Sequence, residues 1–368
     1  MKNAYLPILE ITRGKVVESI HYGAVAVVDN TGRLVASYGD PAATTYLRSS
    51  AKPFQALPFL ENGGQSTYQL TQREIALICA SHSGTDEHVH LVESIQAKTG
   101  VTEAELMCGV HPAYHAPTAE VMRQRGENPT PNRHNCSGKH TGMLAYLRMK
   151  HKDEESALKA GEDLDYINPL HPIQQEIWQT FAEMCDLSIE QVNIGIDGCS
   201  APNFAVPLHN AALAFARLCD PSPLSDRRAQ ACRLIFNSMT TNPDMVGGPD
   251  SFDTHLMQAT SGRIVCKGGA EGYQSLGLRS GAAGITSSAL GIAIKISDGD
   301  LAGHARPRSD PKGHARPAVT LEILRQLGAI SEAELETLAD YGPTFPVHNW
   351  RKIIVGEAYP CFKLQFHS

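Results

Sequence analysis

No lysine- or arginine-rich block, no long apolar run and no even set of cysteines occurs in this 368-residue chain. Each absence excludes a class. With a net charge of −7 and no clustered basic residues, nucleic acid is not an expected partner. No stretch approaches the ~18–20 apolar residues that a membrane span needs, so no membrane association is expected. The apolar run from Leu6 to Leu9 soon meets Glu10, Arg13 and Lys15, which does not read as a secretory signal. The cytoplasm is the expected compartment. Nine cysteines is an odd number, and without an export signal it argues against a disulfide framework. Internal repeats and low-complexity segments are also missing. What remains, at 42% hydrophobic and 19% charged residues, suits a soluble globular protein of one sizeable domain or two interleaved ones.

Residues 4 to about 39 read as strands. Ala24 to Val28 leads through the turn Asp29-Asn30-Thr31-Gly32 to Leu34–Gly39, a hairpin. From about 70 to 260 the pattern is mostly helical. Thr71 and Thr85 are helix caps, and Gly138 to Lys150 carries helical spacing. Pro172 opens a helix lined by Ile173, Ile177, Phe181 and Met184. Val192 to Ile196 interrupts as a β-like segment and delivers Asp197-Gly198-Cys199 into a loop. Strands return at Arg263–Ala270 and Leu290–Ile296. A charged, proline-bearing loop at about 303–317 then precedes helices over Thr320–Leu327 and Ala333–Asp340. Lys352 to Gly356 either closes the sheet or forms a C-terminal strand near a subunit contact. The fold class is α+β: an antiparallel sheet from both chain ends (1–62 and 261–368) with an inserted all-helical lobe (63–260).

Chemistry concentrates first in Tyr46 to Phe54, a loop running into a helix. Ser49 sits at an N-cap or first-turn position, and Pro53 is tolerated only near such a start. Ser49 and Lys52, three apart, share a helical face, whereas Ser50 points away. A serine beside a lysine at the positive end of a helix is a nucleophile-plus-base unit with a backbone N–H for an oxyanion. Alone, the pair is more often a capped helix with a solvated lysine. Two cysteines also stand apart from the core pattern, Cys136 and Cys199, both in small, polar, turn-forming surroundings. His88 and His90, two apart on one helix, do not share a face and read as surface residues.

The order of elements resembles the serine β-lactamase, penicillin-binding-protein and glutaminase architecture, with Ser49-x-x-Lys52, Ser81-His82-Ser83 and Lys267-Gly268-Gly269 in place of its three motifs. Ser83 and Gly268 depart from the superfamily's usual Asn and Thr or Ser. A closer resemblance, over nearly the whole chain, is to the rhizobial-type (thermolabile) L-asparaginases of the asparaginase II family. It is carried by Arg48 to Pro53, Cys79 to Gly84, Cys108 to Pro112, Asn135 to His140, Asp197 to Pro202 and Lys267 to Gly272.

That resemblance implies hydrolysis of L-asparagine to aspartate and ammonia, usually by a homodimer. It makes Ser49 the nucleophile, Lys52 its base, and Ser81 with Lys267 a second pair that passes a proton to ammonia. A lysine acts as base only when neutral, and moving its pKa from ~10.4 to ~7 takes roughly 4–5 kcal/mol. A second ammonium and burial are the expected sources. On their own, Lys267 would read as a strand-edge lysine and Ser81 as a helix-end serine. The same resemblance makes Cys136, Lys139 and Cys199 ligands of one zinc ion, two of them thiolates that suit the metal. From the residues alone, one reactive and one buried cysteine, or Cys136 paired with His140 or His134, stay open. Arg48, Asp197, His140, Gly268, Gly269 and Ala270 complete the expected substrate pocket. Competing readings are a glutaminase, a β-lactam-recognising hydrolase, and a non-catalytic zinc-bound amino-acid sensor.

Overall fold

The computed structural model describes residues 4–151, 165–300 and 314–367. The chain groups into a sheet-bearing unit, Met1–Ser50 with Val206–Pro223 and His255–Ser368, and a helical unit, Ala51–Ala205 with Leu224–Thr254.

In the sheet-bearing unit the strands run in the order Phe345–His348, Ile354–Pro360, Leu6–Arg13, Val16–Asp29, Leu290–Ile296, Tyr273–Leu278 and Ile264–Gly268, all pairings antiparallel. Leu34–Tyr38 pairs with Val16–Asp29, and Gln365–Phe366 pairs with it in turn. The sheet is therefore built from both chain ends, with Leu9 opposite Pro360. Lys352–Gly356 joins the sheet, its strand beginning at Ile354. The expected hairpin forms, with Gly32 at φ 96 and the Asp29 carboxylate accepting the Thr31 and Arg33 N–H groups at 3.0 and 3.1 Å.

All seven positions of Leu290–Ile296 and all six of Tyr273–Leu278 are buried, so both faces of these strands are covered. Helix Leu208–Cys219 packs on them, and helix Ala315–Gln326 also contacts both. Gly291 permits the close approach of the first. A Cβ there would lie 1.8 Å from the Ala212 carbonyl oxygen. The helices expected over Thr320–Leu327 and Ala333–Asp340 correspond to Ala315–Gln326 and Glu332–Thr337. Up to residue 313, the proline-bearing loop of about 303–317 lies outside the described residues.

The helical unit packs Lys52–Glu61, Gln72–Ile78, Asp86–Thr99, Ser137–Lys150, Pro172–Met184 and Asp226–Thr241 against one another. Thr71 and Thr85 both make capping boxes, the second with His88 instead of an acidic residue. Ile173, Ile177, Phe181 and Met184 are all buried. Asn193–Ile196 pairs with Pro202–Pro207, and the connection carries Asp197 to Ser200, the last at φ 70. Among the described residues no helix is long and apolar enough to cross a membrane.

One surface assignment is corrected here. His90 is exposed, but His88 is 1% exposed. The spacing correctly put the two on different faces; it did not say which face is buried. His88 Nδ1 accepts the Thr85 N–H at 3.2 Å, so the proton sits on Nε2, which donates to the Asp244 carbonyl at 3.1 Å. Burial holds its pKa down to about 4 from 6.5. The stacked His82 is lowered too, again by burial first. A base with a depressed folded pKa is protonated more readily in the unfolded chain, so stability falls as pH drops from 6.5 towards about 4. The interval corresponds to roughly 3 kcal/mol. Thermal unfolding at pH 7 and pH 5 checks this: the parent loses stability on acidification, and His88→Gln loses measurably less. Equal pH sensitivity in the two proteins would exclude His88 as a source.

Candidate active site

Ser49 does not cap the helix. It lies half-buried in a 3₁₀ turn, Arg48–Ala51, and Ala51 is the N-cap of helix Lys52–Glu61, with Pro53 in the first turn as expected. Arg48 enters the turn at φ 53, a conformation costing of order 1 kcal/mol or more for a side-chain-bearing residue. Ser50 is completely buried and donates its Oγ–H to the Lys267 carbonyl at 2.6 Å. That leaves Ser49 as the hydroxyl available for chemistry in this turn.

The sheet-bearing unit brings the turn against the Lys267–Gly272 segment. Lys267 ends the edge strand Ile264–Gly268, yet it is 1% exposed, so it is not a solvated edge lysine. Its Nζ donates to the Gly268 carbonyl at 2.8 Å. A Cβ on Gly269 would stand 2.4 Å from the Leu47 carbonyl oxygen, so only glycine allows these backbones so close. Arg48 and Glu271 face each other at 3.8 Å, a loose pair with Arg48 one-quarter and Glu271 half exposed. Glu271, also at positive φ, belongs to a motif the sequence marked, but its charge was not used there.

In the helical unit, Lys52 is 1% exposed and its Nζ meets three oxygens. It donates to Ser81 Oγ at 2.9 Å, to the Ala80 carbonyl and to the Asn135 carbonyl at 3.3 Å. Lys52 and Ser81, which the motif order assigned to different pairs, thus share a hydrogen bond. Ser81 follows helix Gln72–Ile78 and is fixed through its N–H to the Val246 carbonyl at 2.9 Å. The Asn135 peptide is held in turn by His111, whose Nε2 accepts the Asn135 N–H at 3.0 Å. His111 lies in Cys108-Gly-Val-His-Pro112, a motif the sequence flagged without giving it a role. His134 Nδ1 accepts the Cys136 N–H at 3.0 Å, and burial with the neighbouring His111 holds its pKa down to about 3.

Cys136, Lys139 and Cys199 do come together, all buried. Lys139 donates to Cys199 Sγ at 3.1 Å, and the two cysteines are hydrogen-bonded to each other. The Cys136 hydrogen bond, ahead of Lys139, pushes the Cys199 thiol down towards thiolate against the opposing effect of burial. The same bond and burial push Cys136 up. Burial alone would favour a neutral Lys139 amine, but the charges of Cys199, Cys136 and Asp197 outweigh it and raise its pKa. Tyr166 OH accepts the Met107 N–H at 2.8 Å and shares a hydrogen bond with His140 Nδ1 at 2.7 Å. His140 is fully buried, which lowers its pKa, and a hydrogen bond to Cys199 offsets part of that. Tyr166 had no sequence signal.

Two sulfurs, one of thiolate character, suit zinc, whereas Lys139 would join them as a donor only after losing its proton. Among the described residues no three His, Cys, Asp or Glu side chains cluster as a metal site, so the third protein donor would have to be Lys139. Asp197 is half-buried, accepts the Gly198 N–H at 2.7 Å, and contributes charge to this group.

A family model described as L-asparaginase II matches residues 9–360. The chain belongs to the L-asparaginase II family. It is an amidohydrolase. Among solved structures, this family member is similar to a probable glutaminase from Bacillus subtilis complexed with 6-diazo-5-oxo-L-norleucine. That match has 10% identity and a TM-score of 0.35, covering 83% of each chain. A Bacillus glutaminase crystallised in high salt matches at 11% identity and a TM-score of 0.36, over 84% of this chain and 92% of that one. Likeness at these values carries no argument about substrate or mechanism. No curated protein matches the chain.

Proposed function

We propose that the protein hydrolyses L-asparagine to L-aspartate and ammonia through a seryl acyl-enzyme. The observation that carries this reading is Lys52: a wholly buried lysine, three residues after Ser49, hydrogen-bonded to a second serine in an amidohydrolase of the L-asparaginase II family. Ser49 Oγ attacks the side-chain amide carbon while Lys52 accepts its proton. Backbone N–H groups of Ser49 and Ala270 receive the oxyanion. Ser81 and Lys267 relay a proton to the departing nitrogen, the C–N bond breaks, and water then cleaves the aspartyl ester. Arg48 suits the substrate α-carboxylate and Asp197 its α-ammonium, with His140 shaping the pocket.

Cys136, Lys139 and Cys199 would hold zinc. When bound, it supplies a fixed positive centre that shapes the pocket. A homodimer belongs to the same reading, supported by exposed apolar side chains on the sheet-bearing unit: Trp350 at 98%, Val16 at 69%, Ile354 at 64% and Ile353 at 51%. A reducing compartment such as the cytoplasm belongs to the same reading, since it would keep the buried Cys136–Cys199 pair as thiol and thiolate.

The test is ammonia release by the purified protein from asparagine and from glutamine, with metal analysis and light scattering on the same sample. Faster turnover of asparagine, about one zinc per chain and a dimer mass are expected. Faster turnover of glutamine would replace the substrate assignment, and saturable asparagine binding without ammonia would make the protein a sensor.

A further inference from the structure

Four carbonyl oxygens in and beside the Gly268–Gly272 turn are held by cationic side chains. Gly268 accepts from Lys267 Nζ at 2.8 Å, and Glu271 accepts from Lys295 Nζ at 2.6 Å. Arg316 Nη1 reaches two carbonyls, Gly269 at 3.2 Å and Tyr273 at 3.4 Å. Gly269 and Tyr273 are also joined to each other, the Gly269 N–H donating to the Tyr273 carbonyl at 2.9 Å. Arg316 therefore clamps both ends of the turn that links strands Ile264–Gly268 and Tyr273–Leu278.

The direction of this clamp matters. In a trans peptide the C=O of one residue and the N–H of the next point opposite ways. With the Gly269 carbonyl aimed at Arg316, the Ala270 N–H is aimed away from it. The Gly269 N–H is already committed to Tyr273, which removes it as a donor to anything else. Ala270 is exposed, and its segment lies against the Leu47–Ser50 turn through the Gly269–Leu47 approach and the Ser50–Lys267 hydrogen bond. Arg316 is itself anchored. The buried Asp300 carboxylate accepts the Ala315 N–H at 2.7 Å and the Arg316 N–H at 3.1 Å, fixing the start of helix Ala315–Gln326.

We infer that Arg316 is a positioning residue, which sets the Gly269–Ala270 peptide so that the Ala270 N–H serves as an oxyanion donor opposite the Ser49 N–H. This inference rests on the proposed seryl mechanism. A guanidinium spanning two carbonyls resists rotation of the peptide, and loss of a whole oxyanion donor costs about 10²–10³ in kcat. A misaimed donor costs part of that.

The test compares the full-length parent with Arg316→Met, Arg316→Lys, Arg316→Ala and Ser49→Ala. Arg316→Met should lower kcat roughly ten- to a hundredfold and leave KM within about threefold, because ground-state binding does not use the oxyanion donor. Guanidinium ion at non-denaturing millimolar concentration should restore part of the Arg316→Ala rate, a response that a general packing defect would not give. If Arg316→Ala and Arg316→Met fail to fold, Arg316→Lys carries the test: one ammonium cannot bridge both carbonyls, so the same kcat-selective loss is expected. A kcat within twofold of the parent in whichever of these variants fold, or a loss expressed mainly in KM and without guanidinium rescue, overturns the inference. Ser49→Ala separates the two levels. Its inactivity with an unimpaired Arg316→Met defeats the positioning role alone, and its retained activity defeats the underlying mechanism.

Discussion

On the proposed seryl mechanism, replacing Ser49 with alanine is expected to abolish ammonia release from asparagine, by at least about four orders of magnitude, while the protein remains folded. The size of the effect follows from the role. Without the hydroxyl no acyl-enzyme forms, and what survives is binding plus oxyanion stabilisation of a slow attack by water. Folding is spared because Ser49 is half-buried and its side chain fills no core position. The neighbour supplies the control. Ser50 is fully buried, and its hydroxyl holds the Lys267 carbonyl, so Ser50→Ala loses a buried hydrogen bond worth about 1–3 kcal/mol of stability. Its activity should fall far less than that of Ser49→Ala. Steady-state ammonia release with circular dichroism on both variants reads the difference. A Ser50→Ala enzyme as inactive as Ser49→Ala, both folded, would exchange the assignments.

Removing the Lys52 amine is expected to cost about 10³-fold in kcat, near the middle of what a positioned general base contributes, plus the lost ordering of Ser81. Lys52→Met keeps most of the side chain's volume, so its apolar packing survives. It leaves the Ala80 and Asn135 carbonyls and Ser81 Oγ without this donor, which should lower stability by a few kcal/mol. Activity and stability therefore have to be measured separately. In Lys52→Ala the space vacated by the side chain gives a small primary amine a place to bind, and partial rescue by methylamine identifies the missing group as a base. A folded Lys52→Met enzyme with kcat within tenfold of the parent would remove Lys52 from the proton path.

Much of this architecture was readable wherever the determinant is local. The run Leu290–Ile296, apolar but for Lys295, is a buried central strand, and Thr71 and Thr85 start helices because their hydroxyls accept the N–H three residues on. The grouping of Cys136, Lys139 and Cys199 was reached through resemblance, and the structure does bring the three together. What resisted reading depends on distant partners. Lys52 meets Ser81, 29 residues on, because one helix begins where another ends. Arg316 grips Gly269 from 47 residues away, and nothing in either local pattern announces the contact. His88 was misread because periodicity compares positions on a helix but does not tell which side another helix will cover.

The sheet joined from both chain ends bears on how the protein is made. Strand Leu6–Arg13 is synthesised well before the strand that covers one of its edges, Ile354–Pro360, which follows more than 340 residues later. Every residue of the helical unit is made in that interval. Throughout that interval the nascent chain carries an open strand edge, the kind that recruits other chains. Yield of soluble protein should accordingly depend more on the speed of elongation and on chaperone supply than the stability of the finished enzyme would suggest.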